Sequence, residues 1–185
     1  MKNWIIYLLL PYLGFALFVK SSAWPQVTAE VQRVTGKDKT IIVHEKGNDH
    51  AYDLHADLKL QAIKRANLLF QNRANGQLYL LIDVVGPSTA GGNVYCGAGQ
   101  EEYLIWLALD SKWGQGDRKV EPITSCLASI ESSADEESYE IKEGTLTAEY
   151  INYRDKVTAS LIYDSAKPDK AWTIQRRPTP GAGQP

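Results

Sequence analysis

The sequence predicts a mainly β fold of the α+β kind: an antiparallel sheet or sandwich of about seven or eight strands with one helix and a single disulfide, Cys96 to Cys126. Three observations predict it. Beyond residue 24, apolar side chains alternate with period two more often than they follow the helical period. Turn-forming residues interrupt them at short intervals. The chain also holds two cysteines behind a leader of the export type.

The leader is residues 1 to 23. Lys2 is the only charge before an apolar run of 16 residues, Trp4 to Val19, followed by Lys20, Ser21, Ser22 and Ala23. A spanning helix needs about 20 apolar residues, and this run is shorter and carries Pro11 and Gly14, so a secretory signal peptide is expected rather than a membrane anchor. Ser21 and Ala23 are the small residues that place the cut before Trp24. The mature chain of 162 residues suits one domain, expected over 24–177, with a Pro- and Gly-rich tail over 178–185.

Cleavage removes Lys2 and Lys20 and no acid, leaving 18 basic and 22 acidic side chains, a formal charge of −4. No clustered positive charge remains to favour nucleic acid or anionic lipid. The location expected is extracytoplasmic, periplasmic or secreted. There a lone pair of cysteines closes into a disulfide rather than acting as a Cys-x-x-Cys redox motif.

Along the mature chain, Thr40–His44 is a short β-branched strand after the turn Gly36 to Lys39. Leu58, Ala62, Ala66 and Leu69 stack at helical spacing. The good helix formers of Asp57 to Asn72, followed by Asn75-Gly76, predict the helix there, although Leu54 to Ala62 also alternates as a strand would. Gln77–Val85 and Glu101–Asp110 are apolar on both faces and belong in the middle of a covered sheet. A reversal at Gly114 and Gly116 leads into Lys119–Ile130 and sets Cys126 opposite Tyr103. Tyr139–Lys142, Leu146–Tyr153, Val157–Asp164 and Ala171–Arg177 complete a meander.

Two places carry candidate binding residues. Between the two central strands lies a loop with five glycines, and the expected disulfide pins it from Gly86 to Gln100 beside the sheet. Its candidate binding residues are Asn93, Tyr95, Gln100, Glu101 and Glu102. The second place is the interleaving of His44, His50 and His55 with Asp53 and other acids, the right donors for zinc or copper. Their spacing follows no ligand rhythm, so they are read as a polar surface hairpin or helix start, with Asp53 or Asp57 capping the helix.

No catalytic constellation or cofactor motif is evident. Ser88 is not in a Gly-x-Ser-x-Gly elbow, and Gly97-Ala-Gly99 lacks the Lys-Ser/Thr of a phosphate loop. Adjacent Glu101 and Glu102 point to opposite faces of a strand, and with the run Asp135 to Glu137 they read as solvated charge. The build, a signal peptide before a small one-disulfide β domain, is similar to that of bacterial periplasmic lysozyme inhibitors and of immunity proteins against secreted toxins. That likeness is of architecture and covers no motif. The function expected is a non-enzymatic binding protein that docks on another protein. The alternative is a metal- or small-ligand-binding envelope protein using the histidines.

Overall fold

The computed structural model describes residues 31–89, 99–133 and 138–180; the segment expected to be a leader and the residues beyond 180 lie outside these. Twelve strands are described: β1 Val31–Lys37, β2 Thr40–Glu45, β3 Asn48–Asp53, β4 Arg65–Ala74, β5 Gln77–Pro87, β6 Gln100–Leu109, β7 Gln115–Ser125, β8 Ile130–Ser132, β9 Glu140–Lys142, β10 Thr145–Asn152, β11 Val157–Asp164 and β12 Trp172–Pro178. They form two antiparallel sheets. One is β1-β2-β3; the other has nine strands in the order β12-β11-β10-β8-β7-β6-β5-β4, with β9 paired to β10. Apart from β9, the large sheet is an up-and-down meander.

β5 and β6 lie at the centre of the molecule, as their two apolar faces require. Leu78, Leu80, Ile82 and Val84 with Tyr103, Ile105 and Leu107 face the small sheet, where Val34, Ile41, Val43 and Tyr52 meet them. Tyr79, Leu81, Leu104 and Trp106 face the other way, onto Leu146, Tyr150, Leu161, Tyr163 and Trp172 of the meander. For one sheet to contain both groups of the second cluster it must roll. Phe70 of β4 touches Tyr163 of β11 with ring centroids 5.4 Å apart, and the Trp106 indole N–H donates to the Pro168 carbonyl at 2.8 Å. The last turn before β12 thus closes one end of the roll.

The expected helix over Asp57 to Asn72 is absent: Asp57 to Lys64 is a loop and Arg65–Ala74 is strand β4. Helix propensity is a weak prior, and here tertiary packing overrides it. Leu54, Leu58, Leu60 and Ile63 are all buried by a non-helical path, and Leu60 bridges to Ser88. Asn75-Gly76 is the turn of the β4–β5 hairpin rather than a helix stop; its φ angles of 53° and 78° are those of the two-residue hairpin turn. Without a helix, Asp53 caps nothing and instead accepts the His55 backbone N–H at 2.9 Å. β1 and β3, which the sequence reading did not assign, complete the small sheet. Part of the tail belongs to the fold: Pro178 ends β12 and the Thr179 N–H donates to the Lys156 carbonyl at 3.0 Å.

Candidate functional site

The centre of the site is the root of the glycine-rich loop. β5 and β6 pair through Gly86↔Glu101 and Pro87↔Gln100, and the Ser88 N–H donates to the Gly99 carbonyl at 3.0 Å, so the two ends of the loop are hydrogen-bonded to each other. Residues 90–98, with Asn93, Tyr95 and Cys96, lie outside the described residues. The disulfide therefore stays an expectation. Cys126 itself packs on the loop root: a Cβ on Gly99 would lie 2.7 Å from the Cys126 Cβ, so the bare glycine is what admits Cys126 there.

Cys126 does not lie opposite Tyr103 as simple hairpin counting places it. Tyr103 pairs with Pro122 and Glu101 with Ser125, because the hairpin turns over 110–114, ahead of the Gly114–Gln115 centre that the count assumes; register shifts between Ala108 and Leu109 and between Glu102 and Tyr103 recover only part of the offset. This register brings the turn after Ser125 to the loop root. Ser125 holds that turn by accepting the Ala128 N–H at 3.0 Å.

Glu101 ties these pieces together. It is fully buried, not solvated; its Oε1 accepts the Ser88 hydroxyl at 2.6 Å and the Leu127 N–H at 3.2 Å. It is a fastening residue and is not available to a partner. Glu102, half-buried on the opposite face, accepts the Ser138 hydroxyl. Gln100 is exposed at the start of β6.

Beside the root lies a groove of about 340 Å³ lined by Asp57, Lys59, Tyr103, Val120, Pro122, Ser125, Leu127, Ala128 and Arg154. The 54–60 loop forms one wall and the 125–128 turn forms the other. The Lys59 N–H donates to the Tyr103 phenol oxygen at 3.2 Å, and Lys59 in turn accepts the Thr89 hydroxyl through its carbonyl at 3.2 Å. Burial pushes the Tyr103 phenol up to about 12; the adjoining Glu101 carboxylate adds to this and the Lys59 N–H opposes it, so the phenol stays neutral at physiological pH.

The histidines do not converge. Val43 pairs with His50 and His44 with Asp49, so His44 and His50 point to opposite faces of the β2–β3 ribbon. His44 Nδ1 donates to Asp49 at 2.6 Å, leaving Nε2 to accept the Thr35 hydroxyl at 2.7 Å. His50 stacks on Trp113, centroids 4.3 Å apart, and donates to Glu45 at 3.3 Å. His55 pairs with Asp53 at 2.5 Å; the His55 backbone N–H and then its ring hold that carboxyl below its ordinary value. Among the described residues no three His, Cys, Asp or Glu side chains gather as a metal site would require.

One polar cluster was not singled out from the sequence. Asp83, in the middle of the apolar strand β5, is fully buried; its Oδ2 accepts from Arg65 Nη2 and Asn67 Nδ2, each at 3.2 Å, while its Oδ1 has no hydrogen-bond partner among the described residues. Burial, and then the Glu102 carboxylate, push the Asp83 carboxyl up to about 6, against the pull of Arg65. An acid inside Leu80 to Val85 was the signal for it. Lys59, Tyr103 and Arg154 left no such signal, because the groove joins segments distant in sequence.

Comparison with known protein families, curated proteins and solved structures finds no match.

Proposed function

We propose that the mature chain is an exported, non-enzymatic binding protein that docks on another protein through the loop from Gly86 to Gln100 and the groove beside its root. The observation that carries this reading is the buried fastening of the root: Ser88, Glu101 and the Leu127 N–H are hydrogen-bonded together, with Gly99 and Cys126 packed beside them. A loop held at its base presents its side chains at low ordering cost. Tyr95 then serves as an anchor with large contact area and one polar tip. In this reading the signal peptide is removed, no membrane anchor remains, the Cys96–Cys126 bond closes in an oxidising compartment, and neither nucleic acid nor a cofactor is required. The histidine-based metal reading has no comparable support, since each histidine already has its own partners.

The test is capture of partners from the native extracytoplasmic fraction by the mature domain and by its Tyr95→Ala variant. The variant should lose a specifically captured protein, with affinity weakened by more than about 1 kcal/mol, while its denaturant midpoint stays unchanged. A midpoint lowered by roughly 3 kcal/mol of stability would show Tyr95 packed inward as a core residue and would end the binding-loop reading.

A further inference from the structure

We propose that the groove over Tyr103 is a subsite for an acidic side chain of the partner protein, received between Lys59 and Arg154 with an apolar neighbour seated on Val120, Pro122 and Leu127. The inference rests on the docking reading above and names the chemistry of the partner.

The charges in and beside the groove do not cancel. Asp57 is ion-paired to Arg118, whose Nη2 lies 2.8 Å from its Oδ2 without the alignment of a hydrogen bond, and whose Nη1 donates to the Asp53 carbonyl at 2.9 Å. Glu101, which neighbours Tyr103, is fully buried and accepts from Ser88 and the Leu127 N–H. That leaves Lys59 and Arg154. The Lys59 ammonium makes no ion pair among the described residues, and its backbone, bonded to Tyr103 and Thr89, fixes where its stem begins. Arg154 donates one Nη2 bond to the Leu127 carbonyl at 2.9 Å and faces no carboxylate among the described residues. A guanidinium carries five N–H donors, so several stay available to an incoming carboxylate.

Beside the two cations the groove is lined by the apolar Val120, Pro122, Leu127 and Ala128. Two cations and a set of apolar side chains lining one groove, on a domain whose formal charge is −4, favour a ligand that brings a carboxylate and a hydrophobic side chain together. Such a pairing is what an Asp or Glu next to Leu, Ile or Phe on a protein surface offers.

The experiment selects a displayed random heptapeptide library against the mature domain and against a Lys59→Glu, Arg154→Glu double variant whose fold is checked by near-ultraviolet circular dichroism. On the native domain, peptides with Asp or Glu beside an apolar residue should be enriched about tenfold over the input, and on the reversed variant the preference should switch to Lys or Arg. Should the double variant fail to fold, Lys59→Gln and Arg154→Gln replace it, and each should weaken a selected acidic peptide about fivefold or more. Absence of an acidic preference, or the same peptides recovered on both proteins, overturns the proposal. The two readings separate cleanly: Tyr95-dependent capture without an acidic preference removes the subsite alone. An acidic preference without Tyr95-dependent capture removes the loop-docking reading and leaves the subsite in place.

Discussion

Asp83 is the residue with the most exposed consequence. Its side chain lies on the inner face of the rolled sheet, with Arg65 and Asn67 of β4 and Glu102 of β6 around it, and Ser138 beyond Glu102. With its carboxyl raised from 3.8 to about 6, the folded protein binds more protons than the unfolded chain between those values. Stability from this group is therefore full below about pH 4, declines as the pH rises through 6, and is gone above it. Asp83→Asn resembles the protonated form, removing the buried charge that faces the Glu102 carboxylate and offering that carboxylate an N–H instead. The Arg65 pair it weakens is worth little, since Arg65 is more than half exposed. The variant should gain about 1 to 2 kcal/mol at pH 7.5 and show a flatter stability profile from pH 4 to 7, measured by urea unfolding at several pH values. An equal loss of stability at both ends would mean that Asp83 is ionised and paired throughout. In the sequence, Asp83 among Leu80 to Val85 was passed over in a strand read as apolar on both faces; the direction of its shift needed the neighbours that only the fold supplies.

At the scale of elements, legibility followed the source of the signal. β5, β6, β10 and β11 were readable because their alternation is local, and Val157–Asp164 emerges with the expected bounds. The segment from Asp57 to Asn72 was misread because its conformation is decided by distant partners. The 60–63 loop is wedged between Gly36 of β1 and Gly86 of β5: a Cβ on Gly36 would lie 2.1 Å from Ile63 Cγ2, and one on Gly86 would lie 2.2 Å from the Ala62 carbonyl oxygen. A helix could not enter so narrow a space, yet no helical propensity scale contains that fact. Gly86→Ala should accordingly cost about 2 to 3 kcal/mol, since backbone must move to admit the methyl group. Gly47→Ala, where φ is 85° but nothing lies within 4 Å, should cost only about 1 kcal/mol of strain. Equal losses in the two variants, read from denaturant midpoints, would remove the wedge. The loop carrying Tyr95 is an element of a third kind, whose root is described and whose closure rests on chemistry. Mass spectrometry of the exported protein should find a chain beginning at Trp24 with no alkylated thiol before reduction. Reduction should lower stability by roughly 3 to 4 kcal/mol for the 31-residue loop from Cys96 to Cys126.

Across the whole molecule, β5 and β6 belong to both hydrophobic cores, one face packing on the small sheet and the other on the meander. Neither core keeps its inner wall if the other's strands separate, so the two should melt as one unit although the small sheet shares no ladder with the large one. The small sheet is fastened further by the β6–β7 turn. There Trp113, held at a φ of 65°, stacks on His50 and accepts the Tyr52 hydroxyl through its carbonyl at 3.0 Å. Ile41 in the first core and Leu161 in the second are both fully buried, and truncating either to alanine should cost about 2 to 5 kcal/mol. The decisive observable is the form of the transition rather than its midpoint. In both variants, tryptophan fluorescence and far-ultraviolet circular dichroism should trace a single coincident unfolding curve with an unchanged denaturant slope. An early separate phase in Ile41→Ala, seen by fluorescence at Trp113 while Leu161→Ala stays single, would make the three-stranded sheet an independent unit. The groove and loop root would then rest on β5 to β7 alone, because the 54–60 wall would leave with the small sheet.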